Sequence, residues 1–226
     1  MQITEVTDFG LRSAVLTLAR SGSPLRFVLY PMVHVGQADF YRQVARRLRQ
    51  CDLIVAEGYD GPSSTGLAYA IAIRLTRQRS GSRIIHQDIN YQELGIPVIW
   101  PERLFRNTAR RNRMPWWGWL EVALLTPILT VMMAVGVRKW VLRRGYEVSD
   151  DSDVRIFLRF LQKPLVNDVD RDLLAALCEI HEARHTEPIQ VAVVYGAGHV
   201  PAVIQGLYER YRYRARSGEW LDIIDF

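Results

Sequence analysis

The chain has only two cysteines among its 226 residues, and it contains no internal repeat and no low-complexity tract. Two isolated cysteines, Cys51 and Cys178, make no disulfide framework, which favours a reducing compartment. The first nine residues are polar and lack the apolar core of a secretory signal peptide. No Pro/Gly-rich linker divides the chain, and its length suits one core rather than two. We therefore predict a single cytoplasmic domain spanning residues 1–226.

An excess of basic residues gives the chain a formal net charge of +5. A basic chain invites binding of nucleic acid, but many of these arginines are scattered along predicted helices, as Arg42, Arg46 and Arg49 are. No motif known to read nucleic acid accompanies them. We interpret them as solvated helix faces and expect no nucleic-acid partner.

Apolar runs that alternate with helical patterns predict an α/β fold. The predicted strands cover residues 26–33, 53–57, 83–87, 189–195 and 220–226. The predicted helices cover residues 8–23, 36–50, 65–78, 154–161, 169–185 and 200–214. This order predicts a single domain with a central mixed β-sheet flanked by helices and an apolar helical insertion in the middle.

Residues with catalytic or metal-binding side chains follow four of the predicted strands. They are His34, Glu57, Asp88 and His199. Loops at the carboxyl ends of strands form the binding crevice of α/β sheets, so these side chains should face one cleft. Histidine and carboxylate side chains can bind a divalent metal ion or transfer protons. A single histidine after a strand is more often a loop residue, but several such sites in one short chain favour a shared functional cleft.

The segments around these residues resemble the TraB/PrgY/GumN superfamily, which includes the TIKI proteases and is distantly related to ChaN and the erythromycin-esterase-like proteins. Gly196–His199 is similar to the second Gly-x-x-His motif of the family, and Pro31–His34 is similar to the first, with proline in place of glycine. Glu57 corresponds to the family glutamate. Asp170–Asp172 resembles a Glu-Arg-Asp segment, with aspartate replacing the glutamate. The resemblance covers about residues 26–215.

The resemblance implies a metal-dependent hydrolase of TraB/TIKI type, with peptidase activity as one option and a peptide or small molecule as substrate. His34, Glu57 and His199 are then the expected ligands of manganese, zinc or cobalt. One of the histidines could instead be the general base, and Glu57 could activate water beside the ion.

Other residues have weaker assignments. Arg171 is expected to orient Glu57 or a substrate carboxylate through its planar guanidinium group. Asp88 is a further candidate, although it could equally form a turn. Gly196 and Gly198 are also candidates, although a Gly-Ala-Gly segment between strand and helix is often only a tight turn or an anion-binding nest.

A non-catalytic function is the alternative. The family resemblance also extends to factors that sequester a peptide signal at a membrane, and Pro31 in the first motif favours such a binding or regulatory module. Metal binding would separate the two hypotheses.

The middle of the chain forms the predicted insertion or lid, residues 114–144. Residues 120–137 are almost all apolar and are flanked by tryptophans and arginines. A single membrane crossing here would separate the two halves of the predicted site. Three interpretations remain: a buried helix kinked at Pro127, a surface for homo-oligomers, or a helix in the plane of a membrane surface. We favour peripheral contact with a membrane or a second copy.

A second histidine motif, His181–His185, has the sequence His-Glu-Ala-Arg-His of zinc metalloproteases. Its second histidine stands at the predicted end of a helix, and no third ligand follows at a typical spacing. We therefore expect a solvated helix end rather than a zinc site.

Overall fold

The computed structural model of the chain describes residues 2–58, 67–68, 71–72, 75, 84–87, 89–101, 116–134 and 169–225. Its strands are β1 (Thr4–Val6), β2 (Gly10–Arg20), β3 (Ser23–Met32), β4 (Val35–Gln37), β5 (Leu53–Ala56), β6 (Ile84–His86), β7 (Val98–Ile99), β8 (Gln190–Gly196) and β9 (Arg214–Asp225). Its helices are α1 (Ala38–Leu48), α2 (Trp116–Ala134), α3 (169–184) and α4 (Val200–Tyr211). Two short 3-10 turns cover Tyr91–Leu94 and Ala197–His199. The predicted helix Val154–Leu161 and Asp88 lie outside the described residues.

Seven of the strands form one mixed sheet. Six of them follow the order β1-β2-β3-β8-β5-β7, and β9 also pairs with β2. β8 lies between β3 and β5 and is parallel to both, and β7 continues this parallel half. β2 pairs antiparallel with β1, β3 and β9. The predicted single-domain α/β fold with a mixed central sheet is confirmed.

Apolar side chains cover both faces of the sheet, which makes two cores. In β8, Ala192 and Val194 point into one core, whereas Val191 and Val193 point into the other. The first core is closed by α1, and the second by α3 and α4. This two-sided burial explains why the parallel strands are continuous apolar runs.

The predicted helix over Asp8–Ser23 is wrong, because this segment forms β2 and the turn to β3. Leu18 and Leu16 point into the core that α3 and α4 close, whereas Leu11 and Val15 point into the other. Since β2 is buried on both faces, its apolar residues do not alternate with polar ones. Its leucine, alanine and arginine residues also favour helix, and strand pairing overrides this preference.

Two further predictions need correction. The strand predicted at 83–87 exists as β6, but it pairs with β4 in a separate two-stranded sheet. The helix predicted over 200–214 ends at Tyr211, where Arg212 adopts a left-handed conformation with φ 62°. β9 therefore begins at Arg214, six residues before the predicted start, and pairs with β2 along most of its length.

Helix α2 is apolar on all sides and contains Pro127. Val122 is buried, whereas Trp119 and Leu124 are 58% and 67% exposed. Among the described residues, no helix is both long enough and apolar enough to cross a lipid bilayer. Contact of segment 114–144 with a membrane surface or a second copy stays a prediction.

The first histidine of the His181–His185 motif belongs to the core, so the expected solvated helix end is wrong for it. His181 is only 4% exposed, and its Nδ1 lies 3.1 Å from Oη of Tyr213. Its Nε2 lies 3.3 Å from the Arg20 guanidinium group, which donates to it. Since these contacts engage both ring nitrogens, His181 ties α3 to β2 and to the start of β9.

Replacing Leu18 by alanine should lower the free energy of unfolding by about 2–5 kcal/mol, because the fully buried side chain leaves a cavity. Leu124→Ala removes the same atoms from the exposed face of α2 and should cost less than about 0.5 kcal/mol. Urea unfolding followed by circular dichroism measures both variants. Equal losses would contradict the position of β2 in the core.

Stability should also fall when the pH is lowered from about 7.5 to 5. Burial, and then the positive charge of Arg20, lower the pKa of His181 below its ordinary value of 6.5. The folded state therefore binds this proton less readily than the unfolded chain, so its contribution is complete above pH 6.5 and is lost below it. Thermal unfolding of His181→Gln should depend less on pH than that of the control, His34→Gln. An unchanged pH dependence in His181→Gln would argue against a neutral His181.

Candidate functional site

Glu57 and Gly196 meet at the carboxyl ends of β5 and β8. The N–H group of Glu57 donates to the carbonyl of Val194 at 3.1 Å and extends the pairing of the two strands by one residue. The N–H group of Gly196 donates to Oε2 of Glu57 at 2.9 Å. A Cβ atom at residue 196 would lie 3.4 Å from the same oxygen and 3.6 Å from Cδ2 of His199, so the two side chains lie close to this part of the backbone. This bond fixes one carboxylate oxygen and leaves Oε1 available.

His199 stands at the junction between β8 and α4, after the short turn that begins at Ala197. Its Nδ1 lies 2.7 Å from Oδ1 of Asp170, which is in the first turn of α3 as the structure describes it. Its Nε2 lies 3.8 Å from Oε1 of Glu57. The exposed fraction is 15% for the side chain of His199, 21% for that of Asp170 and 34% for that of Glu57. The three side chains form one partly buried group that is open to solvent.

The contact with Asp170 determines which nitrogen of His199 is available for chemistry. An ionised carboxylate only accepts hydrogen bonds, so Nδ1 carries the proton and donates it to Asp170. In the neutral ring, Nε2 then has a free lone pair that faces Glu57. The 3.8 Å separation is too long for a hydrogen bond.

This separation fits two ligands of one metal ion. Ions such as zinc bind nitrogen and oxygen at about 2.0–2.2 Å, so two ligand atoms of one ion are at most about 4.4 Å apart. A metal-binding histidine also usually donates its other N–H group to a carboxylate or carbonyl, as His199 does to Asp170. In the part of the chain that the structure describes, no three His, Cys, Asp or Glu side chains are arranged as a complete ligand set.

His34, the third predicted ligand, lies in the loop that follows β3. It follows β3 by two residues, and Met32 at the end of β3 pairs with Gly196. The backbone of His34 is therefore at the edge of the sheet that carries Glu57 and His199, and its side chain is exposed. Its carbonyl accepts from the N–H group of Gln87 at 2.8 Å.

Tyr91 adds a group that the sequence did not indicate. Burial raises the pKa of Tyr91 above its ordinary value, the side chain of Gln87 lowers it through a hydrogen bond, and the charge of Glu57 raises it. The phenol consequently stays protonated at neutral pH and is close enough to Glu57 to sense its charge. Gln87 connects the phenol to the loop of His34, because its side chain bonds Tyr91 and its N–H group donates to the carbonyl of His34.

Of the remaining candidates, Arg171 and Gly198 are among the described residues. Arg171 is 74% exposed and forms an ion pair with Asp172 at 3.6 Å. Its predicted role in orienting Glu57 stays a prediction, and Gly196 makes the backbone contact that holds the carboxylate. A Cβ atom at Gly198 would meet nothing within 4 Å, so packing does not require glycine there. Asp88 falls outside the described residues.

Asp170 is the member of the site that sequence reasoning did not assign. The only signal was its place in the segment Asp170–Asp172, from which Arg171 was selected instead. The contact joins residues 29 positions apart, and it depends on how α3 packs beside α4.

Comparison of the chain with known proteins finds no relative. No family model matches it, no curated protein matches it significantly, and no solved structure matches it significantly.

Proposed function

We propose that the chain is a hydrolase that depends on a divalent metal ion, and that its site is the group of Glu57, His199 and Asp170. One observation carries this proposal. Asp170 holds Nδ1 of His199 at 2.7 Å, and this contact directs Nε2 toward Oε1 of Glu57. A histidine oriented by one carboxylate and facing another is suited to binding an ion or to transferring a proton.

The residues divide the work between binding and proton transfer. His199 and Glu57 would hold manganese, zinc or cobalt, and His34 is the proposed third ligand. A divalent ion supplies Lewis acidity that polarises a scissile carbonyl group. Glu57 is the acceptor for a proton released by an attacking water molecule. The protonated Glu57 can then return this proton to the leaving group.

Asp170 acts through His199 and is a positioning residue. Its carboxylate accepts a hydrogen bond from Nδ1 and so selects, for the neutral ring, the tautomer whose lone pair is on Nε2. Its negative charge also makes Nε2 a more basic ligand. Gly196 positions Glu57 in a similar way, because its backbone N–H group donates a hydrogen bond to Oε2.

Removing either proposed ligand should remove both the metal and the activity. After equilibration with Mn²⁺, Zn²⁺ or Co²⁺, the native chain should retain about one ion, and His199→Ala and Glu57→Gln should retain far less. Elemental analysis measures the metal, and a panel of quenched fluorescent peptides and activated esters measures hydrolysis. His185→Ala is the matched control, because it removes one histidine from the other motif and should change neither result.

The outcomes separate the proposals. Metal and hydrolysis that persist in His199→Ala would refute this site, whereas their loss in His185→Ala would indicate the other histidine motif. Stoichiometric metal without hydrolysis of any substrate would favour the non-catalytic binding module. Circular dichroism of each variant checks that the fold is retained.

Asp170→Asn should weaken metal binding by roughly 10- to 100-fold without unfolding the chain, because the amide loses the charge that fixes the ring of His199. The control is Asp39→Asn, which makes the same change in the first turn of α1, where the carboxylate is exposed. Competition with a fluorescent zinc chelator measures both affinities. Equal affinity in the two variants would show that Asp170 does not position His199.

A further inference from the structure

A groove lined mainly by arginine lies at the opposite end of the sheet from Glu57. It has a volume of about 480 Å³ and is lined by Arg20, Ser21, Arg210, Tyr211, Arg212, Arg214 and Arg216. Arg20 and Ser21 belong to the end of β2 and its turn to β3, and the others to the end of α4 and the start of β9. β3 begins at this end and runs toward the candidate site, so roughly 30 Å of strand separates the two.

The five arginines of the groove form no ion pair within the part of the chain that the structure describes. Among the described residues, no carboxylate lines the groove. Arg210 donates to Sγ of Cys178 at 3.1 Å, and Arg20 donates to the neutral ring of His181. Glu182, whose charge acts on Arg210, is held by the hydroxyl group of Tyr211 at 2.8 Å. Five positive charges therefore share one groove, and the nearby charge of Glu182 offsets them in part.

Capping of α4 does not account for these side chains. Cations are favourable at a helix C-terminus, where carbonyl groups lack partners. The carbonyls of Tyr208 and Leu207, however, accept from the backbone N–H groups of Arg212 and Tyr213 at 2.9 and 3.3 Å. Arg214 and Arg216 lie beyond the helix, two residues apart on β9. The pairing of β9 with β2 shifts register between Thr17 and Leu18, beside Arg216, and both arginines line the groove.

The aromatic side chains at the groove are already engaged within the protein. The ring of Tyr211 lies 3.9 Å from that of His181, and the guanidinium groups of Arg212 and Arg214 lie over the ring of Tyr208 at 5.3 and 5.7 Å. Proteins that bind single-stranded nucleic acid rely on free aromatic faces for stacking bases. This groove instead offers guanidinium groups in a volume typical of small-molecule sites.

We propose that the groove between the end of α4 and the start of β9 binds the oligophosphate chain of a small ligand. Guanidinium groups bind phosphate oxygens through paired, charge-assisted hydrogen bonds, and several arginines can contact successive phosphates. The site is distinct from the proposed metal site, so a failure of either proposal leaves the other standing.

Isothermal titration of the full chain with sodium tripolyphosphate tests the proposal at moderate salt. Arg214→Gln combined with Arg216→Gln should weaken binding by about tenfold or more, because charge-assisted hydrogen bonds are lost. The control combines Arg46→Gln with Arg49→Gln, two exposed arginines of the α1 region. Both double variants lower the net charge equally, so the control should bind as the native chain does.

Titration with ATP and with inorganic phosphate identifies what is recognised. ATP affinity similar to that of tripolyphosphate, with much weaker binding of phosphate, supports recognition of the phosphate chain. Tripolyphosphate binding that is absent, or equally weakened in the two double variants, would overturn the proposal. Tighter binding of an oligo-dT strand or of phosphatidylserine vesicles than of tripolyphosphate, lost in Arg214→Gln with Arg216→Gln, would also overturn it and indicate a nucleic acid or a membrane.

Discussion

The position of β8 between β3 and β5 is the constraint on which the rest of the structure depends. Because the three strands are parallel, their carboxyl ends share one edge of the sheet. The register aligns Ala56 with Val194 and Met32 with Gly196. Glu57 and the turn to His199 therefore leave the sheet side by side. The apolar side chains on both faces of β8 maintain this register, since a slip of one residue would exchange its two cores.

The same geometry concentrates negative charge at the candidate site. Glu57 and Asp170 face opposite nitrogens of one histidine ring, that of His199. The N–H group of Gly196 offsets part of the charge on Glu57. Such an arrangement favours a bound cation, which would neutralise both carboxylates without moving the backbone. The partial exposure of the three side chains leaves a path for an ion or a substrate.

The sequence was sufficient for the parts of the fold that depend on local pattern. The apolar runs of β3, β5 and β8 were predicted, as were α1 and α4, and the rule for strand ends then selected Glu57 and His199. β2 was missed because a strand buried on both faces has no polar alternation, and its composition favours helix. Asp170 and Tyr91 were missed because their roles depend on packing between elements distant in sequence.

The grouping of charged side chains in space was the hardest feature to predict from the sequence. Arginine recurs at every second residue, at positions 210, 212, 214 and 216. In a single helix this spacing would not place the side chains on one face. Once α4 ends at Tyr211 and β9 begins at Arg214, the chain turns at Arg212, and these side chains line one groove with Arg20. Positive charge thus lies near the amino end of β3, and Glu57 and Asp170 lie near the carboxyl ends of β5 and β8. Opposite ends of one sheet are thereby suited to ligands of opposite charge, an anion at one and a cation at the other.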